Sequence, residues 1–119
     1  MMIEVLKSKI HGARVTKADL EYEGSLGIPY DIIESCGLYV NEKIEVYNVT
    51  NGNRFSTYVI KESAGSGNFF VNGAAAHLAK PGDKIIIASY AHIDEKEMRN
   101  YKPTVVRLDA DNKVIKERT

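Results

Sequence analysis

EKIEVYNVTNGNRFSTYVIKE, residues 42–62, carries the clearest structural signal in the chain. Ile44, Val46 and, less cleanly, Asn48 alternate with Glu45, Tyr47 and Val49. Side chains on a strand point to opposite faces in turn, so this pattern predicts a strand with one buried face. Asn51-Gly52 follows, the strongest short-range hairpin signal. A return strand then runs from Arg54 to Ile60, with Arg54, Ser56 and Tyr58 on one face and Phe55, Thr57 and Val59 on the other. The Phe/Val face predicts core, which leaves Arg54 and Tyr58 exposed or lining a cavity.

The reading extends outward from this hairpin. Met2 to Thr16 is rich in β-branched residues and interrupted by Gly12, which predicts two strand segments with a bend between them. Lys9 and His11, two apart, share one face there. Lys17 to Leu20 reads as a short turn. Pro29 is expected to start a short helix that buries Ile32, Ile33 and Cys36 and stops at Gly37. Downstream, Ser63 to Asn68 reads as a loop and Phe69 to Asn72 as a short strand. Gly73 to Ala76 reads as a helical turn whose free N–H groups suit an oxygen anion or, equally, as small residues at a tight packing point. Lys84 to Tyr90 is a nearly continuous apolar run and predicts a central strand. Asp94 reads as the N-cap of a short helix, with Glu97 reaching back to it. Thr104 to Leu108 and Val114-Ile115 predict a last hairpin around Asp111-Asn112. Six to eight short strands with small helices at the turns suggest a closed, mainly β barrel, which removes exposed edges. Residues 1–119 read as a single domain.

Composition narrows the function classes. Sixteen Lys+Arg balance sixteen Asp+Glu, which removes the usual electrostatic reason to propose a nucleic-acid or anionic-membrane partner. The first ten residues carry Glu4, Lys7 and Lys9 within the apolar run and make a poor signal peptide. No apolar run approaches the ~20 residues of a membrane span. The single Cys36 suggests a reducing compartment, so a cytoplasmic location is expected. His11, His77 and His92 have no ligand-like spacing to one another or to Cys36, and no metal site is expected.

Tyr22-Glu23-Gly24-Ser25 is the stretch with chemical potential. A serine hydroxyl following glycine can reach the preceding carbonyl carbon and convert the peptide to an ester, leaving the serine open to elimination. Glycine also tolerates strained, positive-φ backbone. Gly-Ser is a common loop dipeptide too, and Gly65-Ser66 beside Gly67 and Asn68 is an internal control of that kind.

Four stretches together carry a resemblance. Lys9-Ile10-His11, Tyr22 through Ser25, Asn48 through Tyr58 and Asn72 through His77 resemble the pyruvoyl-dependent aspartate 1-decarboxylase family, in order and at family-like spacing. The resemblance implies a small double-psi β-barrel assembled as a homotetramer, with sites near subunit interfaces. It implies conversion of L-aspartate to β-alanine and CO2 through a Schiff base to a pyruvoyl group, in the pantothenate and coenzyme A pathway. That covalent group would be made from Ser25 by cleavage after Gly24, giving chains 1–24 and 25–119, with no metal and no pyridoxal phosphate. A maturation factor could assist the cleavage. By the same resemblance Thr57 and Asn72 serve processing. Tyr58 is the candidate acid for the carbanion. Lys9, His11, Arg54, Thr57, Gly73, Ala74 and Ala75 are candidates for substrate binding. Which of Lys9 and Arg54 holds which carboxylate stays open. Thr57 and Tyr58 fall on opposite faces of a regular strand, so a bulge or a shared subunit interface is expected to reconcile them. Two other classes compete: a non-catalytic barrel that only binds, and a lysine Schiff-base enzyme using Lys9.

Overall fold

The computed structural model describes residues 1–118. Its strands are β1 (Met2–Arg14), β2 (Lys17–Asp19), β3 (Ser25–Pro29), β4 (Lys43–Asn48), β5 (Arg54–Glu62), β6 (Phe70–Asn72), β7 (Lys84–Asp94), β8 (Thr104–Leu108) and β9 (Val114–Arg118). The helix α1 (Tyr30–Cys36) and two 3₁₀ segments, Gly73–His77 and Glu95–Asn100, sit between them. The strands form one sheet in the order β2-β6-β3-β5-β4-β7-β1-β8-β9. It mixes antiparallel neighbours with parallel ones at β1·β8, β2·β6 and β3·β5. The result is the mainly β, barrel-type architecture that the alternation predicts. Among the described residues no helix is long and apolar enough to cross a membrane.

Ile10, Leu26, Ile28, Ile44, Val46, Val59, Phe69, Val71, Ile85 and Ile87 fill the interior. Each such side chain contributes about 1.5–3 kcal/mol on burial. Ile44 and Val46 are buried and Phe55 packs partly against the core, so the decisive hairpin has the predicted inner face. Arg54, Ser56 and Tyr58 are exposed, as their alternation requires.

Several local expectations change. Lys17–Asp19 is not a turn but a strand, parallel to β6 with Asp19 opposite Asn72. β1 is one strand rather than two, and Gly12 (φ 91°) is absorbed in a register shift between His11 and Ala13. Pro29 precedes α1 as the last residue of β3, at ψ 135°, and the helix starts at Tyr30. Asn51-Gly52 does not make a two-residue turn. Asn48 accepts from the backbone N–H groups of Thr50 and Asn51 and donates to Leu78 O and Asp83, holding a longer loop between Asn48 and Arg54. Asp94 caps its 3₁₀ segment by accepting from the Lys96 N–H (2.9 Å), not through a reciprocal contact with Glu97. The last hairpin forms as expected, with Leu108 opposite Val114.

Candidate functional site

The backbone around Gly24-Ser25 is set by three strands. Ser25 opens β3, pairs with Asn72 of β6 and is 1% exposed. The Asn72 side chain, also buried, donates from Nδ2 to Ser25 Oγ (3.1 Å), and the serine hydroxyl donates to Glu23 O (3.3 Å). The internal control differs in kind: Gly65 and Ser66 are both exposed. Burial with a dedicated donor therefore separates two identical dipeptides.

Gly73, with φ 74°, presses on the backbone just before that bond. A Cβ there would lie 2.6 Å from Gly24 Cα, 2.7 Å from Gly24 N and 3.1 Å from Tyr22 O. Gly24 itself is not among the positive-φ residues, so the strained glycine anticipated at the dipeptide lies across from it instead. Ala74 and Ala75 follow Gly73 in the 3₁₀ segment, Ala74 exposed and Ala75 packed partly against the core.

β3 runs parallel to β5 with Leu26 opposite Val59. Carried one residue back along the strands, that register sets Ser25 level with Tyr58, while Gly24 lies in a bend before β3. β5 shows no register shift against β4 between Arg54 and Tyr58. Thr57, half-buried and opposite Ile44, is on the core side, and Tyr58 is on the outer side. A cavity of about 250 Å³ opens beside Asn72, lined also by Tyr22, Lys17, Asp19, Ile60 and Glu62. Burial raises the Glu62 carboxyl above its usual range, partly offset by Lys17.

A second group assembles farther along the sheet. Arg54 pairs with Tyr47, Tyr47 with Ile86, and Ile86 with His11, so these four residues share one row and one face. Lys9 is in the next outward-facing row, level with Ala88 and Glu45. The Arg54 guanidinium stacks 4.7 Å from the centre of the Tyr47 ring. Among the described residues Arg54 and Lys9 have no ion-pair partner. The structure thus brings Gly24, Ser25, Asn72 and Gly73 together, with Tyr58 on the neighbouring strand, and sets Arg54, Tyr47 and His11 in one row with Lys9 one row on. Tyr47 escaped the sequence reading, although its outward register opposite Arg54 was legible in the hairpin.

His11 Nδ1 is buried without a hydrogen-bond partner. Burial first, then Arg107, Lys9 and Lys84, lower its pKa from 6.5. Such a group stays neutral at pH 7, and below pH 6.5 the unfolded chain takes up its proton more readily than the folded one. Stability is therefore expected to fall as pH drops through that window, and His11→Gln to flatten the fall. Urea midpoints on either side of pH 6.5 test this; identical pH slopes for both proteins would remove His11 as the cause.

Comparison with known proteins points to one family. Residues 1–115 match the family described as aspartate decarboxylase. The aspartate 1-decarboxylase of Myxococcus xanthus (strain DK1622) is 50% identical over 115 residues, covering 97% of this chain and 88% of that protein. Those of Caldicellulosiruptor bescii and Ralstonia nicotianae are each 51% identical, covering 98% and 96% of this chain and 91% and 95% of theirs. A full-length match of this kind, on a barrel that buries Ser25 against Asn72, places the chain in the aspartate decarboxylase family.

Proposed function

We propose that the chain cleaves itself between Gly24 and Ser25 and then decarboxylates L-aspartate to β-alanine and CO2, feeding pantothenate synthesis. The observation that carries this reading is the buried Ser25 hydroxyl, held by Asn72 at 3.1 Å beside a glycine that leaves no room for a side chain. In processing, Ser25 Oγ attacks the Gly24 carbonyl carbon, the C–N bond breaks, and an ester with a free amine results. Thr57, beside Tyr58 on β5, is the candidate donor to the tetrahedral oxyanion, a role worth about 3–4 kcal/mol. Loss of the Ser25 α-proton expels the Gly24 carboxylate, and water converts the remaining dehydroalanine to a ketone with release of ammonia. The products are chains 1–24 and 25–119.

The pocket suits the resulting pyruvoyl group, because Asn72 already holds the residue 25 side chain and Gly73 packs against the adjoining Gly24. That group supplies an electrophilic carbon for the substrate amine and a sink for the electron pair left when CO2 departs. Aspartate carries two carboxylates and needs two cations. Arg54 offers a planar bidentate fork and Lys9 a point charge, with neutral His11 between them and the Ala74 and Ala75 amides as further donors. Tyr58, level with Ser25, donates the proton to the carbon that has lost CO2.

Measured along the sheet, Lys9 and Ser25 are four strand spacings apart, ~19 Å, and Arg54 is ~13 Å along β5 from Tyr58. These backbone separations, together with the family resemblance that implies sites near subunit interfaces, favour a site shared between chains. We therefore assign each complete site to two chains, with Lys9, His11 and Arg54 of one serving Ser25 of another in a cytoplasmic homotetramer. Whether a maturation factor joins the assembly is decided by the same experiment, an intact mass spectrum of the purified protein under denaturing conditions. Two fragments breaking at Gly24/Ser25, the larger without a free amine, are expected. A single chain that persists on warming until a cell extract is added points to a factor; one that persists even then overturns the reading.

A further inference from the structure

Beyond the residues already assigned, one contact ties the cationic group to the sheet. Tyr47 and Tyr90 join hydroxyl to hydroxyl at 2.9 Å. The two are not opposite one another in register: Tyr47 is level with Ile86, four residues before Tyr90 on the same strand. Each side chain leans along the sheet, and Ala88 lies midway between Ile86 and Tyr90 with only a methyl to clear. Ala88 is also level with Lys9, so the tyrosine pair spans the row of Arg54 and the row of Lys9. One ring of the pair carries the Arg54 guanidinium on its face. The bond is reflected in the Tyr47 phenol, whose pKa is pushed up to about 12, first by the hydrogen bond to Tyr90 and then by burial.

An arginine side chain reaching from an exposed strand position has several rotatable bonds and loses that freedom on binding. A ring fixed at its far end by a hydrogen bond removes part of the loss before substrate arrives. We propose that Tyr90 is a positioning residue: through its hydroxyl it locks the Tyr47 ring, and the ring holds the Arg54 fork in place before substrate arrives. This inference rests on the reading of Arg54 as a substrate ligand.

The test uses the processed enzyme carrying Tyr47→Phe, Tyr90→Phe, both changes together, or Arg54→Ala. Each Phe variant keeps its ring and loses only a hydroxyl, and Tyr90 is 42% exposed, so folding is retained. Cleavage at Gly24/Ser25 is checked by mass and is expected to be complete in all. KM for aspartate should rise about three- to tenfold in each single Phe variant, the range one neutral hydrogen bond supports, with kcat little changed. The double variant should be no worse than either single one, since all three break the same bond. Arg54→Ala should lose at least about a hundredfold in kcat/KM. Wild-type KM in the Phe variants, or KM effects that add in the double one, alongside a crippled Arg54→Ala enzyme, overturn the role of Tyr90 alone. Unchanged kcat/KM in Arg54→Ala instead removes Arg54 from the pocket, and the present inference goes with it.

Discussion

Ser25→Ala is expected to give one uncut chain of full length with no turnover of aspartate. The change removes a single oxygen from a side chain that is 1% exposed, so it introduces no steric conflict. Its cost to folding is the Asn72 amide left without its partner at that oxygen, about 1–3 kcal/mol for a buried group. A 119-residue barrel with a continuous Ile/Val/Leu core tolerates a loss of that size. What the variant lacks entirely is a nucleophile next to the Gly24 carbonyl. With no ester there is no elimination and no carbonyl at residue 25. Intact mass and a β-alanine assay on the same preparation read both consequences. Normal cleavage in this variant would refute the Ser25 mechanism outright, whatever its activity.

The parts of this molecule that sequence displays well are those where one strand alternates against one core. β4 and β5 are of that kind, and the outward placement of Arg54, Ser56 and Tyr58 follows from period two alone. Lys17–Asp19 is the opposite case: three residues without an apolar pattern become a strand because β6 offers a parallel partner far along the chain. The Asn51-Gly52 signal was real but local, and the Asn48 side chain overrode it by holding two loop N–H groups itself. The opposite faces of Thr57 and Tyr58 looked like an obstacle while β5 was considered alone. Beside a parallel β3, Tyr58 falls level with Ser25 while its neighbour Thr57 keeps the core side, so the two still face opposite ways. Tyr47 and Tyr90 stand 43 positions apart, so no window of sequence contains their bond. The same holds for Gly73 and Gly24, whose close approach leaves no room for a Cβ at Gly73.

That contact makes a sharp contrast between two glycines. Gly73→Ala is expected to slow cleavage by about a hundredfold, whereas Gly24→Ala is expected to fold normally and to cleave within tenfold of the unmodified chain, a misplacement of ~1 Å being enough for the larger loss. At Gly73 the new methyl meets backbone atoms of Gly24 at 2.6 and 2.7 Å, and backbone cannot rotate away as a side chain does. The φ of 74° adds about 1–2 kcal/mol for any residue with a Cβ. The least costly relief moves the Tyr22 to Gly24 segment outward and draws the scissile carbonyl from Ser25 Oγ. At Gly24 the nearest atom to a new methyl is Asn72 O at 4.0 Å, an ordinary contact, and no positive φ has to be sustained. Freshly translated chains of each variant, followed by mass over time, give the two rates, and urea midpoints of the uncut forms give the two stabilities. If Gly73→Ala cleaves at the normal rate, the close approach is incidental to the chemistry. If Gly24→Ala is as slow as Gly73→Ala while remaining as stable as the unmodified chain, the requirement lies in the Gly24 carbonyl itself and not in the backbone pressed against it.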